Sequence, residues 1–332
     1  MCVKPISVQS PSDDPRYPND FVQVPCGYCV ECRKKRRLEW VTRMVHERDE
    51  HPCGVFVTLT YNDLFLPHKV FSVKHLNGHL FLECRKKIRH VPEYYKHFYN
   101  HSIDSFLVPT LVKSDYQKFI KRVRKRLTSQ KRLIRYFGCG EYGSNTYRPH
   151  YHIIIYGMDI MDEKDREIIV KSWELGSVHL GTVTPRSIAY TAGYITKKLK
   201  KKEYSYSGIE PSFQTCSQGI GRDWCDSNVS KIVSEGKINM NDYTTSVPRY
   251  YRKRIEKIDE DMYYELLNKT YEYEEKQMSI DGFPHYPNIQ YLYYQGSSEE
   301  QMLYEKEKSR QRNQIFVDLT AKEELQSLRK KL

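Results

Sequence analysis

What this sequence lacks first is a long apolar run. No stretch approaches the ~18 apolar residues that a membrane-spanning helix requires. Met1-Cys-Val-Lys-Pro5 leads to Asp13-Asp14-Pro15 with no apolar core of a secretory signal between them. No membrane partner is expected, and the cytoplasm is the expected compartment. Acid is in deficit as well: 42 Asp and Glu stand against 54 Lys and Arg, giving a net charge of +12 and a pI near 9.1. An even cysteine count is missing too, since there are nine. In a reducing compartment an odd set reads as thiols or metal ligands, not as a disulfide framework.

What is present points to a polyanion. A positive field with 28 tyrosines to stack on bases makes nucleic acid the leading partner. The charge is uneven: residues 257–332 hold 11 basic and 15 acidic residues, so the first 256 residues carry +16. Anion binding is therefore expected in the first three quarters. At 332 residues the chain is long enough for one large domain or two ordinary ones, with a sizeable core.

Residues 1–24 have no periodicity and carry Pro5, Pro11, Pro15 and Pro18, which suits an extended arm. Cys26-Gly-Tyr-Cys29-Val-Glu-Cys32 follows. Three close thiols suit a structural zinc site, but a fourth ligand is required. Cys2, His46, His51 and Cys53 are all candidates, and spacing does not choose among them. Arg33-Lys34-Lys35-Arg36-Arg37 comes next, at the start of a helix predicted through Trp40, Val41, Met44 and Val45. Contact with a DNA backbone is expected of that run. Val55 to Tyr61 is β-branched and aromatic and reads as a buried strand, with Thr58 and Thr60 beside Phe56 on one face, available to line a site. Residues 62–112 hold Pro67, Pro92 and Pro109 with His68, His75, His79, His90, His97 and His101 between them, a spacing that forms no ligand set. An insertion of loops and short elements is expected there.

From Lys113 the residues Tyr116, Phe119, Ile120, Val123 and Leu127 recur at three and four, with Ser114 as a candidate cap. The opposite face is basic, and Lys121 and Arg124 are candidate DNA contacts. A strand over 133–139, a turn through Gly140, Gly143, Ser144 and Asn145, and a strand running from His150 into Tyr156 follow. A helix around Ile168, Ile169, Ser172 and Trp173, a strand over 178–183, and a helix opening at Thr184-Pro185 complete the pattern. That order predicts an α+β fold, a mainly antiparallel central sheet flanked by helices. Beyond Lys202 the periodicity weakens. Arg249-Tyr250-Tyr-Arg252-Lys-Arg interleaves rings and arginines and is a candidate stacking platform for DNA. Expected domains are an arm and Cys-rich basic segment over 1–54, a catalytic domain over 55–202 with its insertion at about 62–112, and a Tyr-rich, partly helical region over 203–332.

Alternate residues of a strand share a face, so His150 and His152 can reach one ion. Glu141, in the adjacent strand or turn, can add a carboxylate oxygen. Two imidazoles and a carboxylate with positions left open suit a divalent metal that neutralises a scissile phosphate. Tyr190 and Tyr194 are one helical turn apart and so are neighbours on one face. A phenol can attack phosphorus and form a covalent ester. With a pKa near ~10 it needs a nearby cation or metal, which Lys197, with Lys198 alongside, can supply.

Phe56-Val-Thr-Leu-Thr-Tyr61, Arg148-Pro-His150-Tyr-His152 and Tyr190-x3-Tyr194-x2-Lys197 together resemble the three motifs of the HUH endonucleases. Within them, the match is to two-tyrosine rolling-circle replication initiators of small single-stranded DNA phages. The run from Val24 through Cys26, Cys29 and Cys32 into Arg33-Lys34 further resembles the gokushovirus branch of the microviruses. The resemblance implies an HUH palm, RRM-like in its antiparallel sheet, with Mg2+ or Mn2+ on Glu141, His150 and His152. It implies a tyrosine that nicks single-stranded or supercoiled viral origin DNA, leaving a 5′-phosphotyrosine and a free 3′-OH. The second tyrosine then cleaves the regenerated origin, and the circle is closed. Host helicase and polymerase in the cytoplasm of a bacterial host are the implied partners, and Arg148 an implied DNA contact. One departure is Gly193, where relatives often carry Lys or Arg directly before the second tyrosine. The competing readings are a non-catalytic, metal-containing single-strand binder and a two-tyrosine transposase or relaxase; relaxases usually place the tyrosines ahead of the histidines.

Overall fold

The computed structural model describes residues 2, 4–9, 21–76, 79–88, 105–143, 146–197, 210–241 and 243–280. Two compact units divide the chain, residues 40–227 and residues 1–39 with 228–332. Numbered along the chain, the strands of the first unit are β3 (Gly54–Tyr61), β4 (His68–Leu76), β5 (His79–Ile88), β6 (Ser105–Pro109), β7 (Arg135–Tyr142), β8 (Pro149–Tyr156), β9 (Gly176–Thr182) and β10 (Phe213–Cys216). The second unit contributes β1 (Ile6–Gln9), β2 (Phe21–Val24), β11 (Lys237–Asn239) and β12 (Thr244–Ser246). Helices are α1 (Val30–Glu50), α2 (Lys113–Thr128), α3 (Glu163–Ser172), α4 (Pro185–Lys197), α5 (Arg222–Ser227), α6 (Val229–Glu235), α7 (Arg249–Ile258) and α8 (Glu260–Ile280).

The fold is α+β, as expected. Five strands form an antiparallel sheet in the order β10-β7-β8-β3-β9. Strand alternation sorts its two faces. Val55, Val57, Leu59 and Tyr61 of β3, with Tyr151, Ile153 and Ile155 of β8, point into a core closed by Tyr116, Phe119, Ile120, Val123 and Leu127 of α2 and by Ile169 and Trp173. Gly138 of β7 permits that approach, because a Cβ there would meet the Tyr116 phenol oxygen at 2.5 Å. The intervening residues Phe56, Thr58, His150, His152 and Glu141 turn to the other face, where α4 packs on β7, β8 and β10.

A buried hydrogen-bonded cluster pins α2 to the sheet. Tyr61 donates to Asp115 at 3.0 Å and meets the Tyr151 phenol at 2.8 Å, while the amide of Val112 donates to Tyr151 at 3.0 Å. Each polar atom taken out of water thus has a partner, which is the condition for burying it without a large penalty.

Several expectations give way. Within residues 62–112, β4, β5 and β6 form a three-stranded antiparallel sheet in the order β5-β4-β6, not loops; its Lys- and His-bearing strands lack the apolar alternation that flags a strand. His90, His97 and His101 lie outside the described residues. The arm over 1–24 contains β1 and β2, paired antiparallel. Ser114 does not cap α2, which opens at Val112 with no side-chain cap. Trp173 follows α3 in extended conformation, and its indole donates to the Thr60 carbonyl at 3.0 Å. The unit carrying the central sheet, residues 40–227, is wider than the 55–202 span expected, since β10 supplies its edge strand from beyond Lys202.

In the other unit, α8 packs on α6 and α7. Its buried side chains include Ile232, Val233, Ile238, Val247, Tyr251, Ile255 and Leu266. Residues 281–332 of the expected helical extension lie outside the described residues. Among the described residues no helix is long and apolar enough to cross a membrane.

Candidate active site

Register brings the acid and the histidines together. Glu141 of β7 pairs with His150 of β8, and His150 and His152 pair with Thr60 and Thr58 of β3. Glu141 Oε1 lies 2.9 Å from His150 Nε2 and 3.2 Å from His152 Nε2. Glu141 and His152 are buried and His150 half-buried.

The outer ring nitrogens show which atoms face inward. His150 Nδ1 is 3.2 Å from the Arg148 carbonyl. A carbonyl only accepts, so Nδ1 carries the hydrogen and the neutral ring leaves Nε2 with a lone pair. His152 Nδ1 is 3.1 Å from Thr58 Oγ1, which fixes the second ring. Two imidazole lone pairs and a carboxylate oxygen then converge, a donor set that calls for a proton or a cation between them. The three ligand atoms lie within 4.8 Å of one another. They fit a divalent ion held by two imidazoles and one carboxylate.

α4 delivers the tyrosines. Pro185 occupies its first position, suited to a fixed φ and a missing amide hydrogen. Thr184 and Ser187 cap it reciprocally: the Ser187 amide donates to Thr184 Oγ1 at 3.1 Å and the Thr184 amide to Ser187 Oγ at 2.9 Å. Tyr190 and Tyr194 then project beside the histidines. Tyr190 Oη is 3.5 Å from His152 Nε2, and the Tyr194 ring stacks on His152 at 5.5 Å. Phe56 stacks on His152 at 5.7 Å. Burial holds the Tyr194 phenol well above the usual tyrosine range, and hydrogen bonding with Glu141 and Tyr190 adds to it.

Glu141, His150, His152, Tyr190 and Tyr194 thus meet in one place. Lys197 closes α4, and Lys198 lies outside the described residues. Arg148, expected on DNA, is engaged within the protein: it donates to Asp63 at 2.6 Å and to the Tyr61 carbonyl at 2.8 Å. Lys121 and Arg124 sit on α2, behind the sheet from the histidines; the Arg124 guanidinium lies 5.3 Å over the Tyr136 ring. Sequence reasoning missed Asp115 and the Thr184–Ser187 cap, although Thr-Pro-x-Ser carried a signal for the cap.

In the other unit, Cys2 joins Cys26, Cys29 and Cys32, with all four sulfurs within 4.8 Å of one another. The remaining candidates for a fourth ligand are engaged elsewhere. His46 stacks on Trp224 at 3.4 Å, with burial depressing its imidazole to about 3, and His51 lies 3.2 Å from Glu47. Burial pushes up the Cys53 thiol, and the neighbouring Asp159 adds to the shift. Burial works to raise the Cys26 thiol, but amide donation from Cys29 and Tyr28 overrides it and brings it to about 7. Lys34, Lys35, Arg36 and Arg37 are exposed, with Lys34 paired to Glu31 at 3.0 Å, and Arg33 is half-buried. On α7 Arg249 is exposed, Tyr250 and Arg252 are half-buried, and Tyr251 is in the core.

Comparison with known proteins agrees with the expected resemblance. Residues 54–199 match the family model of the replication-associated proteins of ORF2 type, a span that includes the acid, both histidines and both tyrosines. The "Replication-associated protein ORF2" of Spiroplasma virus 4 is 28% identical over 260 residues, covering 73% of this chain and 70% of that protein. "Replication-associated protein VP4" of Bdellovibrio phage phiMH2K is 26% identical, over 69% of this chain and 66% of its own. "Replication-associated protein ORF4" of Chlamydia phage 1 is 23% identical, over 74% and 58%. Among solved structures, the N-terminal nuclease domain of minute virus of mice non-structural protein-1 aligns at 12% identity over 58% of this chain and 83% of that one, with a TM-score of 0.21, too low to bear on fold or chemistry. Through residues 54–199, the chain belongs to the ORF2-type family of replication-associated proteins.

Proposed function

We propose that this chain initiates rolling-circle replication by nicking single-stranded origin DNA, with residues 40–227 as a metal-assisted tyrosine endonuclease. The observation that carries this reading is the Tyr190 phenol oxygen 3.5 Å from Nε2 of His152, a ring that also faces Glu141. A divalent ion, Mg2+ or Mn2+, would be held by Glu141, His150 and His152 and would supply neutralisation of the scissile phosphate.

The chain's own residues account for the rest. Thr58 and the Arg148 carbonyl hold both imidazoles with Nε2 inward. Tyr190 Oη attacks phosphorus; a phosphorus–oxygen bond to tyrosine forms as the bond to the 3′ oxygen breaks, and the phenol proton is passed on to that leaving oxygen by way of solvent. The products are a 5′-phosphotyrosine and a 3′-OH. One phosphate diester replaces another, so the bond is kept for rejoining and no co-reactant is consumed. Tyr194 then serves the second cleavage, and resealing releases a single-stranded circle. Host polymerase extends the 3′-OH, and a host helicase opens the duplex ahead of it.

The test is incubation with single-stranded oligonucleotides tiling the parent genome, with and without Mn2+, read on a denaturing gel. A Mn2+-dependent protein–DNA adduct at one sequence is expected. No adduct on any oligonucleotide, or an adduct that survives loss of both histidines, overturns the reading.

A further inference from the structure

The cysteines around the start of α1 lie outside the family match and outside the chemistry of the tyrosines. Cys2 and Cys29 place their sulfurs 3.9 Å apart. Two thiolates at ~2.3 Å from one tetrahedral zinc ion stand about 3.8 Å apart, so this separation is that of a metal-bound pair and is far beyond a disulfide. All four are free thiols.

The backbone around them is shaped for thiolates. Gly27 has φ +76°, and a Cβ there would meet nothing within 4 Å, so backbone conformation and not space calls for glycine. That turn aims the amides of Tyr28 and Cys29 at Cys26 Sγ, each at 3.4 Å, and the Cys26 amide at Cys2 Sγ at 3.2 Å. Amide donation of this kind offsets the excess negative charge of a zinc ion with four thiolates, whose net charge is −2. The Arg33 amide bonds the Cys29 carbonyl at 3.0 Å, so α1 grows directly from the turn.

The turn also carries exposed chemistry. Tyr28, between two of the sulfurs in sequence, is 72% exposed, although large aromatic side chains are usually covered. Lys34, Lys35, Arg36 and Arg37 are exposed on the first turns of α1. A ring for a base and cations for a backbone are the two components of single-strand recognition.

We propose that Cys2, Cys26, Cys29 and Cys32 bind one zinc ion, and that the knuckle so formed presents Tyr28 and the basic start of α1 to single-stranded DNA. The metal fastens residue 2 to α1 and thereby orders the turn that carries Tyr28. DNA as the ligand rests on the function proposed above; the metal does not.

The experiment has a metal arm and a binding arm, both on the full chain. Elemental analysis of protein purified without added zinc should find zinc bound, and Cys2→Ser should lose most of it. If Cys2→Ser fails to fold, Co2+ exchanged into the wild-type protein decides the ligand count, through the intensity of its thiolate charge-transfer absorption. A four-sulfur spectrum supports the site. Iron, oxidised cysteine pairs or a spectrum with fewer sulfurs overturns it.

In the binding arm, fluorescence anisotropy with a labelled oligonucleotide is measured without added divalent ions, so no cleavage is needed. Tyr28→Ala should keep its zinc and weaken binding at least about five-fold, and Arg36→Ala should lower the log–log salt slope by roughly 0.7. Unchanged affinity and slope in both variants overturns the DNA contact. Because neither arm reads nicking, failure here is distinct from failure of the endonuclease reading.

Discussion

Tyr190 and Tyr194 stand edge to face, 5.0 Å between ring centroids, yet Tyr190 is 48% exposed and Tyr194 only 8%. The exposed phenol is the one open to incoming DNA. The buried one is tied to Glu141 and held protonated. A second cleavage falls due while the first tyrosine is still esterified, so two nucleophiles within reach of one ion are needed. Unequal exposure gives them an order. Tyr190→Phe is expected to cut initial adduct formation by an order of magnitude or more, and Tyr194→Phe only a few-fold. Neither should release closed circles efficiently, and the double variant should form no adduct. Mass spectrometry of the adduct checks this, and a first adduct mapped to Tyr194 reverses the order.

His150→Ala or His152→Ala should abolish cleavage while most DNA affinity remains, because a basic surface binds and the metal ligands serve the chemistry. Loss of the ion removes several kcal/mol of charge stabilisation, on the order of a thousand-fold in rate. Glu141→Ala should be milder, since water can occupy the vacated position. Oligonucleotide affinity and single-turnover cleavage, measured together, separate the two effects; parallel loss of binding and cleavage contradicts the assignment.

The central sheet was legible because its signals are local. Val55–Tyr61 and His150–Tyr156 alternate or run apolar, and the spacing of the two histidines and two tyrosines exposes chemistry through period two and period four. Glu141 is nine residues before His150, and only the tight reversal between β7 and β8 puts them opposite each other. What was not legible depended on distance in the chain. Cys2 joins cysteines 24 or more residues away, and Arg148 finds Asp63 across 85 residues. β4, β5 and β6 were missed because Lys69, Lys74, Lys86 and Lys87 interrupt any apolar period while still pairing through backbone.

Thr58 touches no substrate in this scheme; it positions His152 through Nδ1 at 3.1 Å. Outer-shell partners of metal-bound histidines typically alter affinity 10- to 100-fold. Thr58→Val should therefore raise the Mn2+ concentration needed for half-maximal cleavage by about ten-fold or more, with little change at saturating Mn2+. Thr58→Ser, which retains the hydroxyl, should restore it. Calorimetric Mn2+ titration without DNA provides a second readout, and equal affinity in Thr58→Val and wild type removes the positioning role.

Asp165 ties the loop before α3 to the chain leaving α2. Its carboxylate, fully buried, accepts two bonds of 2.7 Å from Arg132 and one of 2.8 Å from the Asp159 amide. Burial acts to raise its pKa, but Arg132 and the Asp159 amide prevail and hold it below the ordinary carboxylate value. A carboxyl more acidic in the folded than in the unfolded chain contributes stability at pH above the unfolded value of ~3.9. That contribution is lost as pH falls through the lower, folded value. Asp165→Asn leaves Arg132 without its charged partner and should cost about 3 kcal/mol at pH 7. The cost should shrink below pH 4, where the wild-type carboxylate is itself becoming protonated. Urea denaturation of both proteins across pH 3–7 checks the sign: a difference that grows with acid contradicts a depressed carboxyl, and one that narrows supports it.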